Sequence, residues 1–154
     1  MAGVKVKMET EVELKASADK FYSIFSSQAH QVPNATPDII QGVEVHEGDW
    51  KTHGSVKLWK YTVETTEGNA EVFKEKVELD DANRTVSFVG VEGDVMKYYK
   101  TFKPTFQLTP KGDGCLAKLT IEYEKLRADV PPPDKYFTMM FKMTKDVDAH
   151  LVKA

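Results

Sequence analysis

Titratable side chains recur in the alternating phase of three predicted strands, where their spacing could place them on one face of a sheet. Lys57, Glu75 and Lys100 carry the charges, and Tyr61 and Tyr98 add phenol groups. Glu75, Lys100 and the two tyrosines could act as general acids and bases, because an apolar surrounding shifts pKa values toward neutrality. The same side chains could instead orient a bound molecule, or pair near the rim of the sheet. Both alternatives stay open, and the pattern favours binding over catalysis.

Metal binding and nucleophilic catalysis find little support in the residue pattern. The four histidines are scattered, and the single cysteine, Cys115, lies far from all of them in the sequence. A metal site needs clustered ligands, which this distribution does not predict. The sequence contains no Gly-x-Ser-x-Gly motif, and Cys115 begins a predicted strand without a nearby histidine. We therefore expect neither a metal nor another cofactor.

Length, charge and composition are those of one globular domain, expected over residues 1–154. Of the 154 residues, 41% are apolar and 29% charged, and the formal net charge is −3. No window concentrates lysine and arginine, so a nucleic-acid-binding surface is not expected. The longest nearly apolar stretch, residues 136–141, is far shorter than the roughly 20 residues that a membrane-spanning helix needs. One cysteine and no secretory signal favour a reducing compartment, and we expect a cytoplasmic protein.

The period of the apolar residues divides the chain into strands and helices. Strict alternation over residues 4–14 predicts the first strand, and Ser17 is a favourable N-cap for a short helix after it. The proline-containing stretch 28–38 leaves room for one more short helix. No Gly or Pro follows Pro133, so apolar residues at helical spacing predict a long helix from Pro133 to about Val152. Between these helices, six strands are predicted over residues 39–46, 55–64, 71–79, 85–92, 98–108 and 115–126, with turns such as 67–69.

This order of elements predicts an α+β fold, in which one long helix covers a curved antiparallel sheet of seven strands. A sheet that curves around one helix leaves room between them, and the residues facing this room are the candidate binding site. Gly90 would leave open space there, and methionines suit a variable apolar ligand because they repack easily. Period-two phasing on the strands and helical spacing at the C-terminus assign these inward residues: Lys57, Trp59, Tyr61, Phe73, Glu75, Phe88, Gly90, Tyr98, Lys100, Phe102, Tyr123, Phe137, Met140 and Phe141.

Eight short motifs are spread over the whole chain. They are, in order, HQVPN at 30–34, IQG at 40–42, HEGDW at 46–50, GSVKLW at 54–59, KEK at 74–76, VEG at 91–93, YKTF at 99–102 and IEYEK at 121–125. In their order and spacing they resemble the major latex proteins of plants, which belong to the superfamily of the birch pollen allergen and the class-ten pathogenesis-related proteins. The resemblance implies a helix-grip fold, with a seven-stranded antiparallel sheet around a long C-terminal helix and two short helices after the first strand.

One loop departs from the pattern of the pathogenesis-related relatives, which carry Gly-x-Gly-x-x-Gly after the second strand. The corresponding stretch here begins at Gly48 and ends at Gly54 without the middle glycines. Two glycines cannot form the usual phosphate-cradling loop, and no helix is predicted to follow. We therefore do not expect nucleotide binding by this loop.

The resemblance also implies a function. Relatives hold amphipathic small molecules, such as steroids, fatty acids, flavonoids and plant hormones, in an internal cavity, and they are linked to defence and stress responses. We therefore expect an intracellular carrier of a hydrophobic small molecule, present as a monomer or weak dimer. One alternative is an isomerase, lyase or condensing enzyme that uses Lys, Glu and Tyr groups in the cavity. Another is a protein-binding module with an outward apolar surface at Val56, Leu58, Val89 and Val91.

Overall fold

The computed structural model describes residues 3–63 and 70–153. The predicted turn at 67–69 and the end of the predicted third strand lie outside these residues. Short 3-10 helices lie at Ala29–Gln31 and Asp94–Lys97. The main elements are β1 (Lys5–Leu14), α1 (Ala18–Ser26), α2 (Val32–Ala35), β2 (Ile40–Glu47), β3 (Val56–Thr62), β4 (Ala70–Asp80), β5 (Thr85–Gly93), β6 (Tyr99–Lys111), β7 (Gly114–Lys125) and α3 (Asp134–Lys153).

The seven strands of the described residues form one antiparallel sheet in the order β1-β7-β6-β5-β4-β3-β2. Strands β2 to β7 each pair with their neighbours in the chain, and β1 completes the sheet by pairing with β7. The pairing runs from Lys5 opposite Glu124 to Leu14 opposite Cys115. The predicted fold class is confirmed, including the two short helices after β1 and the long C-terminal helix.

Aromatic residues fill the part of the sheet that α1 covers. Ser17 caps this helix by accepting a hydrogen bond from the Lys20 amide at 3.2 Å. Phe21 and Phe25 are 0% and 1% exposed, and the ring centroid of Phe25 lies 4.5 Å from that of Phe106 on β6. This end of the concave face is therefore solid core.

The C-terminal half of α3 is anchored by two acidic side chains. Asp148 accepts hydrogen bonds from the backbone amides of Lys15 and Ala16, at 3.1 and 2.8 Å, in the connection between β1 and α1. Asp146 accepts a hydrogen bond from the Thr36 hydroxyl at 2.8 Å, just after α2. Val147, between them, is completely buried. These contacts fix the helix over the solid end of the core.

The N-terminal half of α3 crosses the other part of the concave face. The helix begins one residue after Pro133, close to the predicted start, and the Tyr99 hydroxyl donates to the Pro131 carbonyl at 2.7 Å.

No helix in the described part of the chain is long and apolar enough to cross a membrane. The outward apolar surface is smaller than expected, because Val56 is buried at 6% exposure while Val91 is 48% exposed.

Replacing Asp148 by alanine should lower the free energy of unfolding by about 2–3 kcal/mol, because a buried amide of Ala16 and a partly buried amide of Lys15 lose a charged acceptor. Urea unfolding followed by circular dichroism measures this loss. Asp129→Ala is the control, since Asp129 is an exposed aspartate that pairs with Arg127 on the surface, and little change is expected. Equal stabilities of the two variants would show that Asp148 does not anchor α3.

Candidate functional site

A cavity of about 90 Å³ lies between the N-terminal half of α3 and the sheet. Its walls are aromatic rings, aliphatic side chains and three methionines of α3, Met139, Met140 and Met143. Among residues 3–63 and 70–153, no charged side chain lines it. Six of the residues predicted to face inward do line the cavity: Trp59, Tyr61, Phe73, Phe88, Phe102 and Met140.

Tyr98 and Lys100 were wrongly assigned to the interior. A β-bulge between Tyr99 and Thr101 interrupts the alternation at the start of β6, so Tyr99 is buried at 3% exposure in place of its neighbours. Tyr98 ends the preceding 3-10 helix and is 46% exposed. The side chain of Lys100 is 68% exposed, with Nζ 3.6 Å from Glu124 Oε2. Lys100 and Tyr98 therefore do not join Glu75 and Tyr61 as an acid–base set.

The buried stripe of α3 contains Met140, as predicted, but Tyr136 in place of Phe137 and Phe141. Tyr136, Met140 and Val147 are buried, at 4%, 4% and 0% exposure. Phe141 is 37% exposed, and Phe137 is partly buried without lining the cavity. The prediction missed Tyr136, although its spacing of four residues from Met140 and seven from Met143 is the helical signal that could have identified it. Sequence reasoning also missed Phe25, Ile40, Val95 and Pro104 as lining residues.

Gly90 leaves no open space for a ligand, contrary to the expectation. A Cβ atom at this position would lie 2.9 Å from Met96 Sδ, 2.9 Å from the Phe102 carbonyl oxygen and 3.0 Å from the Phe73 ring. Gly90 therefore permits the close approach of β6, and the Phe73 and Phe102 rings, 5.8 Å apart, form the wall in front of it. Tyr123, on β7, is buried at 3% exposure beside Tyr99 without lining the cavity.

A buried ion pair lies behind the wall formed by Trp59. Lys57 and Glu75 face each other across β3 and β4, with Lys57 Nζ 3.5 Å from Glu75 Oε2, and both are at most 1% exposed. The indole N–H of Trp59 donates to the same carboxylate oxygen at 2.8 Å, while Glu75 Oε1 has no hydrogen-bond partner. Burial raises the pKa of Glu75 to about 7, although the Lys57 charge and the Trp59 hydrogen bond act against this rise.

A second polar cluster joins α3 to the sheet at the edge of the cavity. Glu71 Oε1 accepts hydrogen bonds from the hydroxyls of Tyr61 and Tyr136, at 3.0 and 2.8 Å. Both tyrosines line the cavity, and burial raises the pKa of each phenol far above its usual value. The phenols therefore stay protonated as donors to Glu71. Among the described residues, no three His, Cys, Asp or Glu side chains are grouped so that they could hold a metal ion.

Comparison with known proteins places the chain among plant sequences. It matches the pathogenesis-related protein Bet v 1 family over residues 3–154. MLP-like protein 328 of Arabidopsis thaliana is 42% identical over 146 residues, which are 94% of this chain and 95% of that protein. MLP-like protein 28 of Arabidopsis thaliana is also 42% identical, over 95% of this chain, but the chain spans 44% of that relative's length.

Two solved structures share the fold. The crystal structure of ginseng major latex-like protein 151 from Panax ginseng has a TM-score of 0.90 at 34% identity, covering 96% of this chain and 98% of that one. The X-ray structure of norcoclaurine synthase from Thalictrum flavum has a TM-score of 0.77 at 22% identity, covering 98% of this chain and 88% of that one. At this identity the second likeness concerns the fold alone.

Gly90→Ala should lower the free energy of unfolding by about 1–3 kcal/mol, because the added methyl group meets the Phe102 carbonyl oxygen, which belongs to the backbone. Gly42→Ala on β2 is the matched control, since a Cβ there meets no atom within 4 Å. Chemical unfolding of both variants makes the comparison. If Gly90→Ala is as stable as Gly42→Ala, the space beside Gly90 belongs to the cavity after all.

The raised pKa of Glu75 predicts a pH dependence of stability. Between about pH 5 and pH 7 the folded protein keeps a proton on Glu75 that the unfolded chain releases, so the free energy of unfolding falls as the pH rises. The fall attributable to this group is roughly 3 kcal/mol at most.

Unfolding in urea at pH 5, 6, 7 and 8 tests this dependence. In Glu75→Gln, the free energy of unfolding should not show the part of the decrease that ionisation of Glu75 causes. Glu78→Gln, which changes a half-exposed side chain on the same strand, should show the same decrease as wild type. Parallel pH profiles for wild type and Glu75→Gln would contradict the assignment.

Proposed function

The chain belongs to the Bet v 1 family, and we propose that it binds a hydrophobic or amphipathic small molecule in the cavity beneath α3 and carries it. The observation that supports this proposal most is the cavity itself, which is lined by aromatic, aliphatic and methionine side chains, with no charged residue among the described residues of its walls. Apolar ligands bind in such sites because burial removes their surface from water.

The ligand must enlarge the cavity as it binds. About 90 Å³ is small beside the roughly 300–1,000 Å³ of typical ligand pockets. Met139, Met140 and Met143 form one wall, and their unbranched side chains can change rotamer with little strain. The N-terminal half of α3, which carries these methionines, can also move outward because Asp146 and Asp148 anchor the other half. The same wall thus adapts to ligands of different shape.

Binding is favoured over catalysis by the placement of the titratable groups. The carboxylate of Glu75 is occupied by Lys57 and Trp59, and the Tyr61 hydroxyl is occupied by Glu71. Lys100 is exposed and pairs with Glu124 outside the cavity. The acid–base set that would support an isomerase, lyase or condensing enzyme is therefore not assembled around the cavity.

The physiological setting belongs to the same proposal. We place the protein in the cytoplasm of a plant cell, where its single buried thiol, Cys115, stays reduced, and in a defence or stress response. Support comes from the pathogenesis-related family name and from the MLP-like relatives of Arabidopsis thaliana. Fatty acids, steroids, flavonoids and hormone-like molecules are the ligand classes proposed, as hydrophobic or amphipathic compounds that fit apolar walls.

A neutral fluorescent probe, N-phenyl-1-naphthylamine, should bind to one saturable site with micromolar affinity. Ile121→Phe should weaken this affinity about tenfold, because Ile121 lines the cavity and the larger ring fills part of it. Its free energy of unfolding should change by less than about 1 kcal/mol, since the ring enters existing space. Fluorescence titration and urea unfolding give the two quantities.

The matched control is the same substitution at a buried isoleucine away from the cavity. Ile24 on α1 is 1% exposed and packs in the solid core, so Ile24→Phe should destabilise the protein by about 1–3 kcal/mol and leave probe affinity nearly unchanged. Absence of saturable probe binding to the wild type would reject the proposed function. Equal affinities of wild type and Ile121→Phe would place the binding site elsewhere.

A further inference from the structure

We propose that Glu71 makes the cavity selective for ligands whose polar end donates a hydrogen bond, such as an alcohol or a phenol. Ligands that end in a carboxylate, or in a group that can accept hydrogen bonds but not donate them, are disfavoured. This inference rests on the proposed function, because it concerns the polar end of the ligand that the cavity takes.

The geometry places the Glu71 carboxylate directly behind two rings of the cavity wall. Tyr61 comes from β3 and Tyr136 from the first turn of α3, and their ring centroids lie 6.5 Å apart in an edge-to-face arrangement. Both hydroxyls donate to the same oxygen of Glu71, at 3.0 and 2.8 Å. The two rings present almost only carbon to the cavity, so a ligand meets the two phenol oxygens, backed by one carboxylate, where it enlarges the cavity between the rings.

The phenol hydrogens are already used within the protein. A hydroxyl has one hydrogen to donate and two lone pairs that accept. Because Tyr61 and Tyr136 each give their hydrogen to Glu71, their oxygens can act toward a ligand as acceptors. At the Trp59 wall the indole N–H is given to Glu75, and an indole has no lone pair with which to accept. The two phenol oxygens are therefore the acceptors that a ligand hydroxyl reaches at this end, and the ligand supplies the donor.

The local charge acts in the same direction. Asp94 adds a second negative charge that raises the pKa of both tyrosines, and it accepts a hydrogen bond from the Val72 amide at 2.8 Å. The nearby cations lie at the surface: Lys97, whose side chain is 71% exposed, has its Nζ 3.6 Å from Asp94 Oδ1, and Lys135 lies over the Tyr136 ring from an exposed position. Within the described residues, Glu71 takes part in no ion pair. A ligand carboxylate here meets repulsion from Glu71, and the two phenols beside it have already given their hydrogens to Glu71.

The first test compares two isomers, 1-decanol and 1-methoxynonane, as competitors of N-phenyl-1-naphthylamine on the wild-type protein. They contain the same atoms, but the alcohol can donate a hydrogen bond and the ether cannot. The free energy of transfer from water to an apolar site by itself favours the ether, because the alcohol is better hydrated. We expect the alcohol to bind at least threefold more tightly. Equal binding, or tighter binding of the ether, would overturn the inference.

The second test assigns the selectivity to Glu71. At pH 8, wild type should prefer 1-decanol to decanoate, and Glu71→Gln should reduce that ratio at least fivefold, because the amide removes the charge and offers a donor to the carboxylate. Glu78→Gln is the matched control, since Glu78 lies on the same strand, pairs with Lys103 at 3.2 Å and is half exposed. Its ratio should equal that of wild type.

The outcomes separate this inference from the proposed function. An unchanged decanol-to-decanoate ratio in Glu71→Gln would overturn the role of Glu71 while leaving ligand binding in place. If neither the probe nor 1-decanol binds to the wild type, the proposed function fails and the inference falls with it. Should Glu71→Gln fail to fold, which circular dichroism detects, the comparison of the two isomers on the wild type still decides the inference.

Discussion

Helix α3 is held firmly at one end and lies over an incompletely filled cavity at the other, and this asymmetry shapes the rest of the molecule. Asp148 fixes the C-terminal half through hydrogen bonds from two backbone amides. Phe21 packs in the solid core beside α1, and Phe25 and Phe106, whose rings contact it, form the border between that core and the cavity. The N-terminal half depends instead on the Tyr136–Glu71 hydrogen bond and on methionine packing, both of which can be remade. The cavity lies between the sheet and this N-terminal half of α3.

Polar groups close to the cavity are satisfied by one another, which keeps its interior apolar. An unpaired polar group in such a place costs several kcal/mol, roughly 2–7 by transfer measurements. Trp59 turns its N–H toward Glu75, and Tyr61 and Tyr136 turn their hydroxyls toward Glu71, so each ring presents carbon to the cavity. The two carboxylates thereby orient three side chains of the wall without lining it themselves. Glu75 is the exception, because burial raises its pKa and one of its carboxylate oxygens has no hydrogen-bond partner.

The sequence predicted the order of the elements and most of the strand phases, because alternation and helical spacing are local properties of the chain. Lys57, Trp59 and Tyr61 were correctly placed on the inward face of β3, although both faces of that strand carry apolar residues. It could not predict the bulge at Tyr99, since a bulge depends on pairing with β7 and shifts the phase without a distinct residue pattern. The sequence also could not show that Gly90 lies outside the cavity, because this depends on the close approach of β6. Nor could it place Glu71 at the site, because the contact between Glu71 and Tyr136 of α3 forms only in the folded chain.

Small size and adaptable walls make the empty cavity compatible with a stable fold. A large empty apolar cavity would sacrifice packing contacts along its whole lining, and that loss grows with cavity volume. The protein limits the loss by letting the methionine side chains occupy space that a ligand takes over. A ligand that displaces these side chains replaces their contacts with its own, and its binding free energy then adds to the stability of the folded state. The Tyr136–Glu71 hydrogen bond joins the half of α3 that carries these methionines to β4, whereas Asp148 holds the opposite half to the connection between β1 and α1. The contact that ties this half of the helix to the sheet therefore lies at the edge of the cavity itself.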